Sequence, residues 1–148
     1  MLSASYRERM TGNYWLLDAP TDERALTLKF EARAPDLSEL VRTRTWLLSG
    51  TIDAERFATA SAVDGTVSYA LWDERRVPYR FAFRGDDGRR YELLGQKEWT
   101  PLAPLDSFSL LPATLLDERG EELARATLRF DIRADIGDWI RSLRLHWR

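Results

Sequence analysis

The sequence predicts an all-β domain of antiparallel strands, and three observations support this. Apolar and polar residues alternate along most of the chain, as in residues 26–32 and again in residues 77–83. Turn sequences separate these runs, and Gly85-Asp86-Asp87-Gly88 is the strongest hairpin signal because Asp-Gly favours a positive φ. A length of 148 residues suits one domain with its own core. We therefore predict a single β-barrel domain over residues 1–148, in which each strand buries one face.

The turn signals divide the chain into eight alternating runs with short connections. This arrangement is typical of an antiparallel barrel or a sandwich. We expect a barrel of about eight strands with a calycin- or lipocalin-like shape, which either fills its interior with side chains or holds one small ligand. The predicted strands lie near residues 5–16, 25–34, 45–52, 61–72, 77–84, 89–98, 106–116 and 122–133.

Two segments have the pattern of helices. Asp36 follows Pro35 and can cap a short helix that runs to Val41, after the second strand, as a lid or plug of the barrel. A C-terminal helix is predicted from Ile136 to about Trp147, because the apolar residues of this segment recur at helical spacing. We expect this second helix to cover a barrel end or a sheet face.

The composition excludes several classes of chemistry. The chain has no cysteine, so disulfides, thiolate catalysis and cysteine-based zinc or iron–sulfur sites are excluded. Its one histidine, His146, cannot form a two-histidine metal site. Motifs for a serine nucleophile, a zinc protease, a P-loop or a dinucleotide-binding loop are absent. We therefore assign no catalytic residue, no metal site and no cofactor.

Charge and hydropathy set expectations about partners and location. The net charge of −2 gives no electrostatic reason to bind nucleic acid. No apolar run approaches the roughly 20 residues that span a bilayer, and residues 1–10 lack the apolar region of a signal peptide. We expect a cytoplasmic protein with no integral membrane segment and no nucleic-acid partner.

Two charged residues occupy positions where the alternation calls for an apolar side chain. Glu8 shares its phase with Tyr6, Met10 and Tyr14, and Lys97 shares its phase with Tyr91, Leu93 and Trp99. Residues two apart in a strand point to the same face, so both charges are predicted to point inward. An isolated buried charge is costly, so they should pair with each other, bind water or contact a ligand. A bulge at Gly12 or Gly95 would instead shift the phase and move one or both of them outward.

The segments around these two charges resemble motifs of a known family. Tyr6-x-Glu8-x-Met10-x-Gly12 and Tyr91-x-Leu93-x-Gly95-x-Lys97 are similar to motifs of a β-rich accessory domain that occurs with cholesterol-oxidase-like flavin oxidoreductases of the GMC type. The resemblance covers nearly the whole chain as one β domain. It implies an accessory or lipid-related role beside such an oxidoreductase, and it carries over no catalytic residue. The chain itself lacks the glycine loop that binds a dinucleotide.

The leading functional hypothesis is a non-enzymatic binding module for a small hydrophobic or amphipathic ligand, such as a lipid- or sterol-like compound. It rests on the abundant inward aromatic residues and on the two inward charges as a polar anchor. The predicted ligand-binding residues are Glu8, Met10, Tyr14, Tyr69, Tyr91 and Lys97.

Two alternatives remain open at this point. The first is a protein-interaction or accessory domain working beside a flavin oxidoreductase, with an exposed apolar patch around Trp15 or Trp72. The second is a lipocalin-shaped enzyme that uses Glu8 as a base and Lys97 or a tyrosine as an electrophile, which requires an open cavity beside Glu8. A purely structural salt bridge between Glu8 and Lys97 would support neither of these two alternatives.

Overall fold

The computed structural model describes residues 1–130, 141 and 143–147, apart from the side chain of Leu105. Eight strands follow the predicted runs closely. They are β1 (Leu2–Leu16), β2 (Arg24–Ala34), β3 (Thr45–Ala54), β4 (Ala58–Ser68), β5 (Arg76–Arg84), β6 (Arg90–Glu98), β7 (Leu110–Leu116) and β8 (Glu122–Arg129). The remaining elements are the helices α1 (Leu37–Thr43) and α2 (Pro104–Ser109), a 3₁₀ turn (Trp72–Glu74) and the short strand β9 (Arg144–Trp147).

The eight long strands form a closed antiparallel barrel. Consecutive strands pair from β2 to β8, β8 pairs with β1, and the pairing of β1 with β2 closes the ring. β9 adds to the first residues of β1, where Leu2 lies opposite Trp147 and Ser5 lies opposite Arg144. The prediction of an all-β, eight-stranded antiparallel barrel is confirmed.

The inward positions of the strands build one continuous apolar core. Met10, Leu28 and Val67 are completely buried on β1, β2 and β4, and each continues the alternation read from the sequence. Phe30 on β2 packs against Phe81 on β5, with ring centroids 5.4 Å apart. Side chains therefore fill the middle of the barrel.

Three inward glycines mark places where strands pass very close to each other. A Cβ built on Gly12 would lie 1.8 Å from the carbonyl oxygen of Thr127, one on Gly50 would lie 1.9 Å from that of Lys29, and one on Gly65 would lie 1.8 Å from that of Arg80. No side chain fits there, so only glycine allows these strands to bend tightly enough.

The two ends of the barrel differ in their connections. At one end, the turn end, short loops join the strands at residues 17–23, 55–57, 85–89 and 117–121. At the other, the helical end, the strands are joined by α1, the 3₁₀ turn and α2. The N-termini of β1, β3, β5 and β7 lie at the helical end. An interior void at the turn end, lined by Tyr14, Phe57 and Phe83 among others, measures only about 10 Å³.

The helix α1 lies outside the barrel wall. Asp36 precedes it, and the carboxylate of Asp36 accepts a hydrogen bond from the backbone N–H of Ser38 at 2.9 Å. No residue of α1 is buried, so the helix does not plug the interior. Val41 on its outer face is 78% exposed.

Four predicted strands differ from the structure by three or more residues at a boundary. The strand predicted over 5–16 begins earlier, at Leu2. The strand predicted over 106–116 begins at Leu110, because Pro104 stands in the first turn of α2 and favours helix there. The strand predicted over 61–72 is shifted to Ala58–Ser68. The strand predicted over 122–133 ends at Arg129, and residues 131–133 lie outside the described part of the chain.

The prediction of a C-terminal helix is wrong for residues 144–147. Residues 144–147 form β9, because Leu143, Leu145 and Trp147 also satisfy a period of two and the backbone of β1 is there to pair with. Residues 136–140 and 142 of that prediction lie outside the described residues. Among the residues that are described, no helix has the length and apolarity needed to cross a membrane.

Candidate functional site

The two charges that break the alternation meet inside the barrel. Lys97 Nζ donates a hydrogen bond to Glu8 Oε1 at 3.0 Å, and the side chains are only 3% and 6% exposed. The register of β1 against β2 runs without interruption through Glu8, and that of β6 against β5 runs without interruption through Lys97. Neither glycine therefore introduces a bulge, and both charges stay on the inward phase.

The pair spans the interior rather than joining neighbouring strands. Glu8 lies on β1 and Lys97 on β6, and both β7 and β8 stand between those strands in the barrel order. The ion pair therefore ties two separated parts of the wall together. Opposite charges in contact inside a protein stabilise each other only where hydrogen bonds satisfy their remaining atoms. In the described part of the chain, every buried side-chain nitrogen or oxygen has a hydrogen-bond partner.

Three tyrosines surround the carboxylate of Glu8. The hydroxyl of Tyr69 shares hydrogen bonds with those of Tyr6 and Tyr79. Burial raises the pKa of Tyr6 and of Tyr79 well above the ordinary value for tyrosine, and the negative charge of Glu8 raises both further. These phenols therefore stay protonated, and each can donate one hydrogen bond and accept another.

The ammonium group of Lys97 is also held by aromatic rings. Its Nζ atom lies 5.1 Å from the ring centroid of Tyr79, 5.7 Å from that of Phe108 and 5.9 Å from that of Phe130. A cation near a ring face is attracted by the ring quadrupole, most strongly where water is excluded. The same rings shield the ion pair from solvent at the helical end.

Aromatic side chains of the helical end close over the ion pair. Trp72 stacks on Trp99 with ring centroids 4.5 Å apart, and it contacts Phe108 of α2 at 5.6 Å. Trp46 packs edge-on against Tyr6 at 5.0 Å. We call this group the aromatic cover, and it consists of Trp46, Trp72, Trp99, Phe108 and Phe130.

Each charge lies where its strand remains paired on one side and the ladder to the neighbour on the other side has ended. The β6–β7 ladder ends at Gly95 and Ala113, although β6 continues past Lys97 to Glu98. The β1–β8 ladder ends at Thr11 and Arg129, three residues along β1 from Glu8. We call the first of these openings the β6–β7 seam, and α2 lies beside it as the connection between the two strands.

The six predicted ligand-binding residues do not form one cluster. Glu8, Lys97 and Tyr69 come together at the helical end, and Met10 is fully buried next along β1. Tyr14 and Tyr91 lie at the turn end, where the Tyr14 hydroxyl donates to the carbonyl of Glu55 and the Tyr91 hydroxyl donates to the carboxylate of Asp87.

The site also contains two tyrosines that were not among the predicted residues. Tyr6 and Tyr79 flank Glu8, and both lie on the inward phase of their strands. The period-two pattern predicts that both side chains point inward. Only the closure of the barrel brings Tyr79 on β5 near Glu8 on β1. Among the described residues, no group of three or more metal-ligating side chains is close enough to hold a metal ion.

No family model, no curated protein and no solved structure matches this chain. The arrangement of the site itself therefore carries the functional argument. It consists of a neutralised ion pair, three protonated phenols and an apolar cover, which together can recognise a polar group attached to an apolar body.

Proposed function

We propose that the protein is a non-enzymatic binder of a small amphipathic molecule, held with its polar head at Glu8 and Lys97. The observation that carries the proposal is a charged pair buried at one end of a closed antiparallel barrel, beneath side chains that are almost all aromatic. Such a site combines a few fixed polar groups with a large apolar surface, as small-molecule sites do. Met10 lies directly below Glu8 on β1 and supplies an adaptable apolar contact.

The ligand enters at the helical end. The void at the turn end holds about 10 Å³, which is no more than one water needs. At the helical end, in contrast, the β6–β7 ladder has ended and the six-residue helix α2 carries Phe108 of the cover. Movement of α2 and Phe108 opens the seam beside Lys97 without breaking a strand pairing.

The charge balance of the site favours a ligand with a neutral polar head. A carboxylate head would give three buried charges with a net charge of −1, and an amine head would give a net charge of +1. Either excess is costly in an apolar interior. A hydroxyl head instead donates to Glu8 or to a tyrosine oxygen and leaves the pair neutral. Alcohols such as sterols and monoacylglycerols have this chemistry.

Calorimetric titration of the delipidated protein tests the proposal. We expect 1-monooleoylglycerol or cholesterol, presented in a detergent-free carrier, to bind saturably and oleate to bind at least tenfold more weakly. Phe108→Trp, which narrows the seam, should weaken binding, whereas Tyr91→Phe at the turn end should leave it unchanged. The proposal is wrong if none of these amphiphiles binds the folded protein, or if Tyr91→Phe changes binding as much as Phe108→Trp does.

A role beside a flavin oxidoreductase is the second candidate. The positions that carry the resemblance to the GMC-associated domain are Glu8, Met10, Gly12, Gly95 and Lys97, and all of them lie on inward phases around the ion pair. Gly95 leaves room for Leu111, whose side chain a Cβ would meet at 2.8 Å. Co-purification with a GMC-type oxidoreductase at a fixed ratio supports this candidate, and separate elution of the two proteins counts against it.

The geometry gives less support to an enzyme that uses Glu8 as its base. The carboxylate of Glu8 is already engaged by Lys97, and its side chain is 6% exposed. A general base needs to reach the proton that it removes. Glu8→Gln separates the two functions, because it abolishes base catalysis outright and changes amphiphile binding only through the lost negative charge.

A further inference from the structure

A second concave surface lies on the outside of the barrel and is separate from the ion pair. It is a groove of about 790 Å³ that crosses from β4 over β5, β6, β7 and β8 to β1. We call it the outer groove. Six strands at a spacing of about 4.8 Å make such a groove about 24 Å long.

The strand register explains why there is a groove here. One outward row forms the wall, in the order Trp15, Arg125, Thr114, Leu94, Arg80 and Thr66, each opposite the next on the neighbouring strand. The adjoining row toward the helical end forms the floor, which consists of Thr127, Pro112, Gln96, Pro78 and Ser68. The floor has no charged or aromatic side chain, whereas the wall carries one tryptophan, one leucine and two arginines.

The groove combines one outward aromatic side chain with several hydrogen-bonding groups. Trp15 stands at its β1 end, directly opposite Arg125. Hydroxyl groups line its floor and far end, and the side-chain amide of Gln96 donates to the carboxylate of Glu98 at 3.4 Å. An indole face and proline rings contact the C–H face of a ligand, while hydroxyls, amides and guanidinium groups bond its polar edge.

The charges around the groove exclude an anion as the ligand. Arg80 is paired with Glu92 at 2.7 Å, and Arg125 is paired with Glu122 at 2.8 Å. The two carboxylates neutralise the arginines and repel a phosphate or a carboxylate. Each guanidinium still has N–H groups to donate to an uncharged acceptor.

The backbone around the groove excludes an added peptide strand. β5, β6, β7 and β8 are each paired on both sides where they carry the wall row, so no edge is free to extend the sheet. A ligand therefore has to bind through side chains alone. A long, uncharged chain with alternating apolar faces and hydroxyl edges meets these requirements.

We propose that the outer groove binds a neutral oligosaccharide, with one sugar ring stacked on Trp15 and the following rings along the floor of threonine, proline and glutamine side chains. Its wall and floor side chains point away from the barrel interior and from the ion pair, and Gln96 and Pro112 of the floor border the β6–β7 seam.

Affinity electrophoresis and calorimetry with cellohexaose, maltohexaose and the hexamer of N-acetylglucosamine test the proposal. We expect at least one of them to bind saturably. Trp15→Ala should weaken that binding at least tenfold, and Thr127→Tyr, which fills the floor with a residue that strands accommodate well, should do the same. Trp72→Ala is the matched control, since it removes an indole of the aromatic cover and leaves the groove intact.

Circular dichroism confirms that each variant is folded before binding is measured. The proposal is overturned if no neutral oligosaccharide binds at millimolar concentration, or if binding survives both Trp15→Ala and Thr127→Tyr. Binding of sulfated dextran in preference to every neutral oligosaccharide would overturn the assigned ligand class and identify an anion site. Failure of these tests leaves the amphiphile proposal unaffected, because that proposal depends on Phe108 and Lys97.

Discussion

Glu8 and Lys97 are each tolerable in the core only because the other is present. Their contact at 3.0 Å, the phenols around Glu8 and the rings around Lys97 together replace the water that both ions lost on folding. A buried pair of this kind contributes little net stability compared with apolar residues of the same size, but removal of one partner leaves a charge alone.

Lys97→Met should therefore destabilise the protein by about 3–5 kcal/mol, because the carboxylate of Glu8 loses its partner. The double variant Glu8→Gln with Lys97→Met removes both charges and should be more stable than Lys97→Met. Urea unfolding of the unchanged protein, of Glu8→Gln, of Lys97→Met and of the double variant measures these differences. If the two single changes simply add in the double variant, the ion pair has no energetic coupling.

The tyrosines predict how the protein responds to alkaline pH. Burial is the main cause that raises the pKa of each of the five, and it raises that of Tyr91 to about 12, with the hydrogen bond to Asp87 as the next cause. In the unfolded chain these phenols ionise near a pKa of about 10. Above that pH the folded state holds more protons than the unfolded state, so stability falls as the pH rises.

We expect these tyrosines to leave the free energy of unfolding constant from neutral pH to about pH 10. Above that pH, the free energy of unfolding should fall by up to about 1.4 kcal/mol per pH unit for each tyrosine that is still protonated in the folded state. Unfolding followed at several pH values measures the slope, and the ultraviolet absorbance of phenolate follows ionisation. Tyr91→Phe should reduce the slope above pH 10. Phenolate formation near pH 10 in the folded protein would contradict the buried environment.

The period of two was enough to predict the inward direction of both charges, but it left their pairing as one of three alternatives beside water and a ligand. Glu8 and Lys97 are 89 residues apart, and no local pattern relates them. Their contact follows from the closure of the barrel, which places β1 and β6 on either side of the hairpin formed by β7 and β8. For the same reason Tyr14 and Tyr91 were grouped with this site, although they share only its inward phase and lie at the opposite end.

Among the strands, β1 and β4 depend on glycine for their curvature. A Cβ at Gly12 or Gly65 would meet a backbone carbonyl, which cannot move without breaking the ladder. Gly95 on β6 is different, because the nearest atoms belong to the flexible side chain of Leu111. Glycine is therefore needed at Gly12 and Gly65 because a backbone carbonyl lies close, and at Gly95 because the side chain of Leu111 occupies the space.

Gly12→Ala should cost more than about 3 kcal/mol or prevent folding, since it forces β1 away from β8. Gly95→Ala should cost only about 1–3 kcal/mol, because Leu111 can adopt another rotamer. Thermal unfolding compares the two proteins directly. Equal destabilisation would show that the space at Gly95 is as constrained as that at Gly12.

The β6–β7 seam is the part of the wall that should open first. Hydrogen exchange followed by mass spectrometry should show faster exchange in peptides covering Gln96–Glu98 than in peptides covering Tyr91–Leu94, because the ladder to β7 has ended there. Phe108→Ala should raise exchange at the seam further and leave the turn end unchanged. Uniformly slow exchange along β6 would mean that the seam is closed in solution and does not admit a ligand.

The sequence pattern predicted the strands well where apolar residues alternate without interruption, as in β2 and β5. It failed where tertiary contacts decide between two periods. Leu143 and Trp147 suit a helix face, and together with Leu145 they also suit a strand face, so the backbone of residues 2–5 in β1 selects the strand. Before Leu110 the apolar residues suggested an earlier strand, but Pro104 and Ser107 form a helical turn, in which the Ser107 hydroxyl donates to the Pro104 carbonyl at 3.2 Å.

Over the molecule as a whole, the two ends of the barrel have separate tasks. Polar turns close the turn end, where Tyr14 bonds to the β3–β4 loop at Glu55 and Tyr91 bonds to the β5–β6 loop at Asp87. The helical end carries the ion pair, the aromatic cover and the seam. The outer groove lies on the outer face of the wall and reaches the β6–β7 seam at Gln96 and Pro112.

The ring of strands also constrains the order in which the chain can fold. β1 finds β2 at once, since they are adjacent in sequence, but its other edge has to wait for β8, with Leu16 pairing to Ala124. Until β8 arrives, a strand of 15 residues has one open edge. Closure of the β1–β8 ladder is therefore a late event, and a chain that is stopped before β8 exposes an unpaired strand edge that can pair with another chain.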